Sequence, residues 1–282
     1  MVCRSLVFLV LFTMGCGPSG APQAQRALLE THIPRIKAIL QQDRERTRTG
    51  TVEAARRLAP GFRVEDPERR ERQMRRAMTL IRQPPRGIPE FIASPLSMIV
   101  AVGADGIVLC RNGSSENDTV KGQDFRERFA PVRRALDGQI AYELVEFGSG
   151  EQTSHSMLFA APSRVDGEIV GAVAVSIPLW REAQRLSRQL RVELAPEIEA
   201  GMAIWVSMYQ GERMYASPDA PQEIVSQVPT PEIMREGFGR SPGGFTGQEQ
   251  LFHKWHGYAV IPLGAIGEGV GFVAYLSEPE PE

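Results

Sequence analysis

Between residues 96 and 277 the chain runs through the same order of elements twice, and this repeat limits the fold more than any other feature. In the first half, Ser97 to Val102 is apolar and β-branched. Ala104-Asp105-Gly106 is a turn signal, and Ile107 to Cys110 pairs back as a hairpin strand. A polar loop, Asn112 to Gly122, leads into a helix over Asp124 to Leu136. Asp124 and Glu127 form its capping box, and Asp137-Gly138 closes it. Three strands follow, Ala141–Phe147, Met157–Val165 and Ile169–Ile177, the last two joined by the turn Asp166-Gly167.

The second half repeats the order. Ala203–Tyr209 and Arg213–Ala216 make a hairpin around Gly211, helical pieces occupy Pro221–Val228 and Pro231–Phe238, and strands run near Phe245–Gln248, Phe252–Pro262 and Val270–Leu276. The closing strand pairs spell the repeat most clearly: Ala161-Pro162, Asp166-Gly167 and Gly171 to Val175 match Ile261-Pro262, Gly267-Glu268 and Gly271 to Tyr275. Such small, apolar strands bury both faces or pack one face on helices. Between the halves, Leu179 to Glu199 reads as a linking helix with Leu179, Ala183, Leu186, Leu190 and Leu194 as its stripe.

Ahead of the repeat lies a basic helical region, residues 26–95. Residues 26–86 carry a net charge of +8 and residues 87–282 one of −11. Leu28, Leu29, Ile33, Ile36, Ile39 and Leu40 recur at helical spacing, and Pro34 predicts a kink, or a start near Thr31. A second helix opens at Asp66-Pro67-Glu68 with N-cap, N1 proline and first-turn acid, carries the stripe Met74, Ala77, Met78 and Ile81, and stops by Pro84-Pro85. The arginine density suits contact with anionic headgroups or an acidic partner. The interspersed acids favour the plainer reading, a solvated face laced with Glu–Arg pairs.

At the N-terminus, Arg4 precedes a short apolar run, Leu6 to Met14, about half of what a spanning helix needs. It ends in Thr13-Met14-Gly15-Cys16, which resembles the lipobox of bacterial lipoprotein signal peptides. The resemblance implies cleavage after residue 15, acylation of Cys16, a tether over 16–25 and anchoring in the envelope by several acyl chains. Gly17 in place of aspartate implies the outer membrane, facing the periplasm. An ordinary cleaved signal peptide is the alternative. Of three cysteines, Cys110 would then remain alone, a buried strand thiol acting as a small hydrophobe.

The order hairpin, helix, three strands is that of PAS-like sheets. With the export signal and the preceding helix, it resembles the extracytoplasmic Cache sensor domains. The residues that carry the likeness are Val100 to Val108, the helix end Ala135-Leu136-Asp137-Gly138, and Ala161-Pro162 through Val175. The resemblance implies an α+β fold with a PAS/Cache-like antiparallel five-stranded sheet and covering helices in two tandem modules, either a double Cache or one Cache domain with a degenerate second PAS-like module: module one over 96–178, a linking helix over 179–200 and module two over 201–278. It also implies small-molecule sensing. The arginine–tryptophan–tyrosine set of the amino-acid-binding members is missing, and no kinase, methyl-accepting or cyclase output is present, so a separate envelope protein would receive the signal.

A Cache pocket lies between the sheet and its covering helices. In module one this nominates Arg111, Tyr142, Met157, Phe159 and Ser176 as ligand-binding residues. Arg111, at a strand end, suits a ligand carboxylate, or else pairs with Glu116 or Asp118. Tyr142 offers a hydroxyl or a packing ring, and Met157 and Phe159 also suit plain core. Module two offers Trp205, Tyr209, Tyr215, His256 and Tyr258, as an aromatic lining or as core. His253 and His256 tempt a metal reading, but residues three apart on a strand face opposite sides. No metal, cofactor, catalytic residue or nucleic-acid partner is expected: GxSxG, HExxH, Walker A and GxGxxG are all missing. The reading is a lipid-anchored small-molecule sensor. The alternative is a docking lipoprotein with filled cores and no ligand.

Overall fold

A computed structural model describes residues 21–92, 94–113, 118–147, 154–221, 229–251 and 254–277. The fold is α+β, with two five-stranded antiparallel sheets and helices. In the first sheet, β1 (Met98–Gly103), β2 (Val108–Arg111), β3 (Ala141–Phe147), β4 (Ser154–Val165) and β5 (Glu168–Pro178) lie in the order β2-β1-β5-β4-β3. In the second, β6 (Ile204–Gln210), β7 (Arg213–Ala216), β8 (Phe245–Leu251), β9 (Lys254–Pro262) and β10 (Val270–Ser277) lie in the matching order β7-β6-β10-β9-β8. The repeat extends to strand order but not to exact register: Pro162 faces Ala172 on β5, whereas Pro262 faces Gly271, the counterpart of Gly171, on β10.

Local chemistry explains the turns and caps. Asp166 and Gly167 both take positive φ, 53° and 88°, as a tight hairpin with the right-handed twist of its strands demands. Helix α2 (Pro67–Leu80) is opened by Asp66, whose carboxylate accepts from the Arg69 N–H at 2.6 Å. Asp124 likewise accepts from the Glu127 N–H at 2.9 Å. The single helix expected over 124–136 is instead two, α4 (Phe125–Arg128) and α5 (Ala130–Leu136), parted at an extended Phe129. Pro131 has no N–H to give and disfavours helical backbone just before it. The linking helix divides in the same way, into α6 (Leu179–Glu193) and α7 (Ala195–Glu199), ahead of Pro196. A short α3 (Pro89–Ile92) precedes the first sheet, and α8 (Pro231–Arg240) covers the second. The expected helical piece at 221–228 falls almost wholly outside the described residues.

The largest departure is α1, an unbroken 42-residue helix, Ala21–Phe62. It does not start at Thr31 but runs on through Pro34, and it begins inside the stretch expected to be a tether. The Thr31 hydroxyl bonds back to the Ala27 carbonyl at 2.9 Å, inside the helix. Pro34 is exposed, while Leu29, Ile36, Ile39, Leu40, Ala54 and Leu58 are buried. Their stripe packs along β4 and β5 of the first sheet and β9 and β10 of the second. Burying these side chains, at about 1.5–3 kcal/mol each for the larger ones, outweighs a lost backbone hydrogen bond. The arginines of α1 and α2 form the ladder that the interspersed acids favour. Arg48 pairs with Glu45, Arg56 and Arg57 with Glu53, and Arg72 with Glu68.

One apolar core lies between α1, α6 and the inner faces of both sheets, and it includes Ile99, Phe159, Val175, Leu186, Val206 and Phe272. The outer face of the first sheet is covered by α4 and α5, with Val100, Leu158 and Ala174 against Phe125, Phe129 and Val132. The outer face of the second carries Tyr209, Tyr258, Val273 and Tyr275 against Met234 and Phe238 of α8. No helix among the described residues is long and apolar enough to cross a membrane.

Candidate functional site

The outer face of the first sheet is not completely covered. Where α4 ends, a cavity of about 650 Å³ opens. Strand pairing sets its floor. Ser156 and Leu158 on β4 point the same way, Leu158 faces Ser176 on β5, and Ser176 faces Met98 on β1. Successive side chains of a strand alternate between faces, so Ser154, Ser156, Ser176 and Met98 reach one side together. Ser97, just ahead of β1, comes within 3.2 Å of the Ser176 hydroxyl. The walls are Phe125 of α4, Phe147 of β3 and Val120 of the loop after β2. Polar groups converge from the rim: Thr119, Gln123, Arg111 at the end of β2, and Arg128 at the end of α4.

Arg111 belongs to a charge chain. Its Nε donates to Asp118 Oδ1 at 2.8 Å, the partner anticipated from sequence; Glu116 lies outside the described residues. Arg75 of α2 donates to Asp118 Oδ2 at 3.0 Å, and to the carbonyls of Arg111 and Gly113 at 2.8 and 3.0 Å. Glu71 completes the chain, accepting from Arg75 Nε at 2.8 Å and from Lys121. Burial by itself raises the Asp118 carboxyl. Arg111, Arg75 and the Val120 N–H outweigh it and hold the group below its ordinary range. The rim loop is therefore tied to α2 through Arg75.

Of the five residues nominated in module one, the fold brings Arg111 and Ser176 together at this cavity. Tyr142, Met157 and Phe159 do not join them. Met157 and Phe159 are buried against α1, and the Tyr142 ring stacks on Phe159 at 5.5 Å with Arg44 of α1 over it. The reason is strand parity, since odd positions of β4 face the inner core and even positions face the cavity. The serines of β4, Thr119, Gln123 and Arg128 were missed. Alternation with Ser176 was the signal for the first of these; the last three depend on how the loop and α4 fold back.

In module two, Trp205, Tyr209, His256 and Tyr258 share the outer face, with His256 stacked on Trp205 and Tyr209 beside Phe238. Tyr215 is elsewhere: its hydroxyl bonds His155 Nδ1 of β4, joining the two modules. His253 lies outside the described residues. Among those described, no three His, Cys, Asp or Glu side chains gather as metal ligands. Cys110 is buried, and burial pushes its thiol up to about 11, which makes it a poor nucleophile.

No protein-family profile matches the chain, and no curated protein matches it. Solved structures do. The ligand-binding domain of the Campylobacter jejuni chemoreceptor Tlp3 in complex with L-valine aligns at a TM-score of 0.54 with 12% identity, covering 94% of this chain and 98% of that one. The same domain in complex with 4-methylisoleucine aligns at 0.52 with 14% identity, covering 92% and 91%. The sensor domain of the V. cholerae histidine kinase DctB aligns at 0.53 with 12% identity, covering 92% and 99%. The chain thus has the fold of chemoreceptor and histidine-kinase sensor domains over nearly its whole length, and at this identity the likeness is one of fold.

Proposed function

We propose that this chain is a small-molecule sensor whose ligand enters the outer cavity of module one. The observation that carries the reading is the cavity itself: about 650 Å³, open to solvent, with apolar walls and convergent hydroxyl and guanidinium groups. A docking protein with filled cores has no use for it. The similarity to ligand-binding sensor domains supports the reading. The ligand orders the rim loop at 118–122, and the Arg75 chain carries that ordering to α2 and the helices beside it. Acylation at Cys16 holds the protein in the cell envelope, facing the periplasm, and a separate envelope protein reads the helices.

The test is a thermal-shift screen of the purified protein against amino acids, organic acids, purines and polyamines. A ligand of this site raises the melting temperature by several degrees at saturation, on the order of what a 100-fold excess over Kd gives a domain of this size. Ser154→Phe, which places a ring at the cavity mouth, removes the shift without lowering the melting temperature of the free protein. A shift that survives this substitution places the ligand elsewhere. A flat screen on a cooperatively folding protein returns the docking reading. Labelling with a radioactive fatty acid in cells, lost in Cys16→Ser, tests the anchor.

A further inference from the structure

The charge around the cavity limits what it can hold. Two guanidiniums line it, Arg111 from β2 and Arg128 from α4, and no carboxylate does so among the described residues. The nearest, Asp118, is only 2% exposed and is spent on Arg111, Arg75 and the Val120 N–H. Arg111 commits its Nε to Asp118, and neither of its terminal nitrogens makes a hydrogen bond among the described residues. Arg128 gives one nitrogen to Gln123 at 2.9 Å and rests on the Phe129 ring, with no ion-pair partner among the described residues. The remaining polar side chains are Gln123 and the hydroxyls of Ser97, Thr119, Ser154, Ser156 and Ser176, all neutral donors and acceptors.

From this arrangement we infer that the ligand is an organic carboxylate without a cationic group, and not an α-amino acid. The inference rests on the sensor reading and names the ligand class of the same site. A carboxylate forks onto the terminal nitrogens of Arg111 or onto Arg128. Its carbon chain lies against Val120, Phe125 and Phe147, and the serines take up further oxygens. An ammonium group placed there meets two guanidiniums and, among the described residues, no counter-charge, so its desolvation goes uncompensated.

Calorimetric titration of the full chain tests this with matched probes: butanoate and succinate, their amides butanamide and succinamide, and their amino counterparts 2-aminobutanoate and aspartate. At least one carboxylate binds, its amide does not, and the added ammonium weakens binding at least about tenfold. Arg128→Gln, which gives up only Gln123 and a ring contact, weakens the carboxylate several-fold; Arg111→Gln does so more strongly but also releases Asp118. The probe comparison needs no variant, so a misfolded mutant leaves the test intact. An amino acid binding as tightly as its desamino counterpart overturns the inference, as does equal binding of an amide. If the carboxylates fail while a purine or polyamine binds in a manner blocked by Ser154→Phe, the sensor reading stands and this inference falls. If nothing binds, both fall.

Discussion

At the scale of single residues, the least comfortable group in the molecule is Glu182. It sits on α6 with no exposed surface, facing α1; ionised, neither of its oxygens has a donor, and only when protonated can it hydrogen-bond Asp43. Its neighbours are Asp43 of α1 and Arg185, and the arginine is already paired with Asp43. Burial, and then the negative charge of Asp43, push Glu182 up to about 8, so the folded protein holds a proton there at neutral pH. The unfolded chain releases that proton near pH 4.5. Stability from this group is therefore full below about pH 4.5, falls as pH rises towards 8, and is flat beyond; the loss is on the order of a few kcal/mol. Glu182→Gln should remove that decline and raise stability most at pH 8. Urea melts of both proteins at pH 5 and pH 8 check this, and an unchanged pH slope in the variant would remove Glu182 as its source. The same scale shows what sequence could and could not say about the site. Arg111 was legible because a strand-end arginine beside an acidic loop is a local pattern. Met157 and Phe159, which also suited plain core, lie in the core because their parity on β4 is opposite to that of the residue facing Ser176.

At the scale of elements, local signals were enough wherever the determinants were local. The caps at Asp66 and Asp124 and the Asp166-Gly167 turn follow from residues a few positions apart. Helix α1 does not. Its course through Pro34 is decided by two sheets that begin many residues later. Because Pro34 is exposed, its substitution isolates the cost of the missing N–H from any packing. Pro34→Ala restores a donor for the Glu30 carbonyl and should stabilise the protein by about 1–3 kcal/mol, even after the added freedom of the unfolded chain is subtracted. A thermal melt showing no gain would mean that α1 bends at residue 34 to a shape that alanine cannot serve. Gly171 marks the opposite case, an element that admits no side chain. A Cβ there would come within 2.4 Å of the Phe62 ring and 2.5 Å of the Val102 carbonyl oxygen. The neighbouring strand cannot retreat without breaking the β1–β5 ladder, so Gly171→Ala should cost about 1–3 kcal/mol.

At the scale of the whole molecule, the two modules are repeats in sequence but not separate bodies. They share α1, the core beneath it and the joint between His155 and Tyr215. Arg44 of α1 shows the same sharing in one side chain: it lies over Tyr142 of module one and donates to the Ala265 carbonyl of module two at 2.8 Å. Their outer faces have diverged, one left open with serines and arginines and the other closed by aromatic rings. A common core predicts a single cooperative transition, because exposing one sheet's inner face strips α1 from the other. The tryptophans allow a clean test. All three, Trp180, Trp205 and Trp255, lie beyond residue 178, so their fluorescence reports on α6 and module two. Gly171→Ala acts on β5 of module one. If the modules unfold together, the substitution shifts the fluorescence midpoint by the same amount as the far-ultraviolet circular dichroism midpoint, with one transition in each. If module two melts at the wild-type denaturant concentration while the dichroism splits in two, the shared core is not the coupling element, and a signal from the module-one cavity would have to travel through α2 alone.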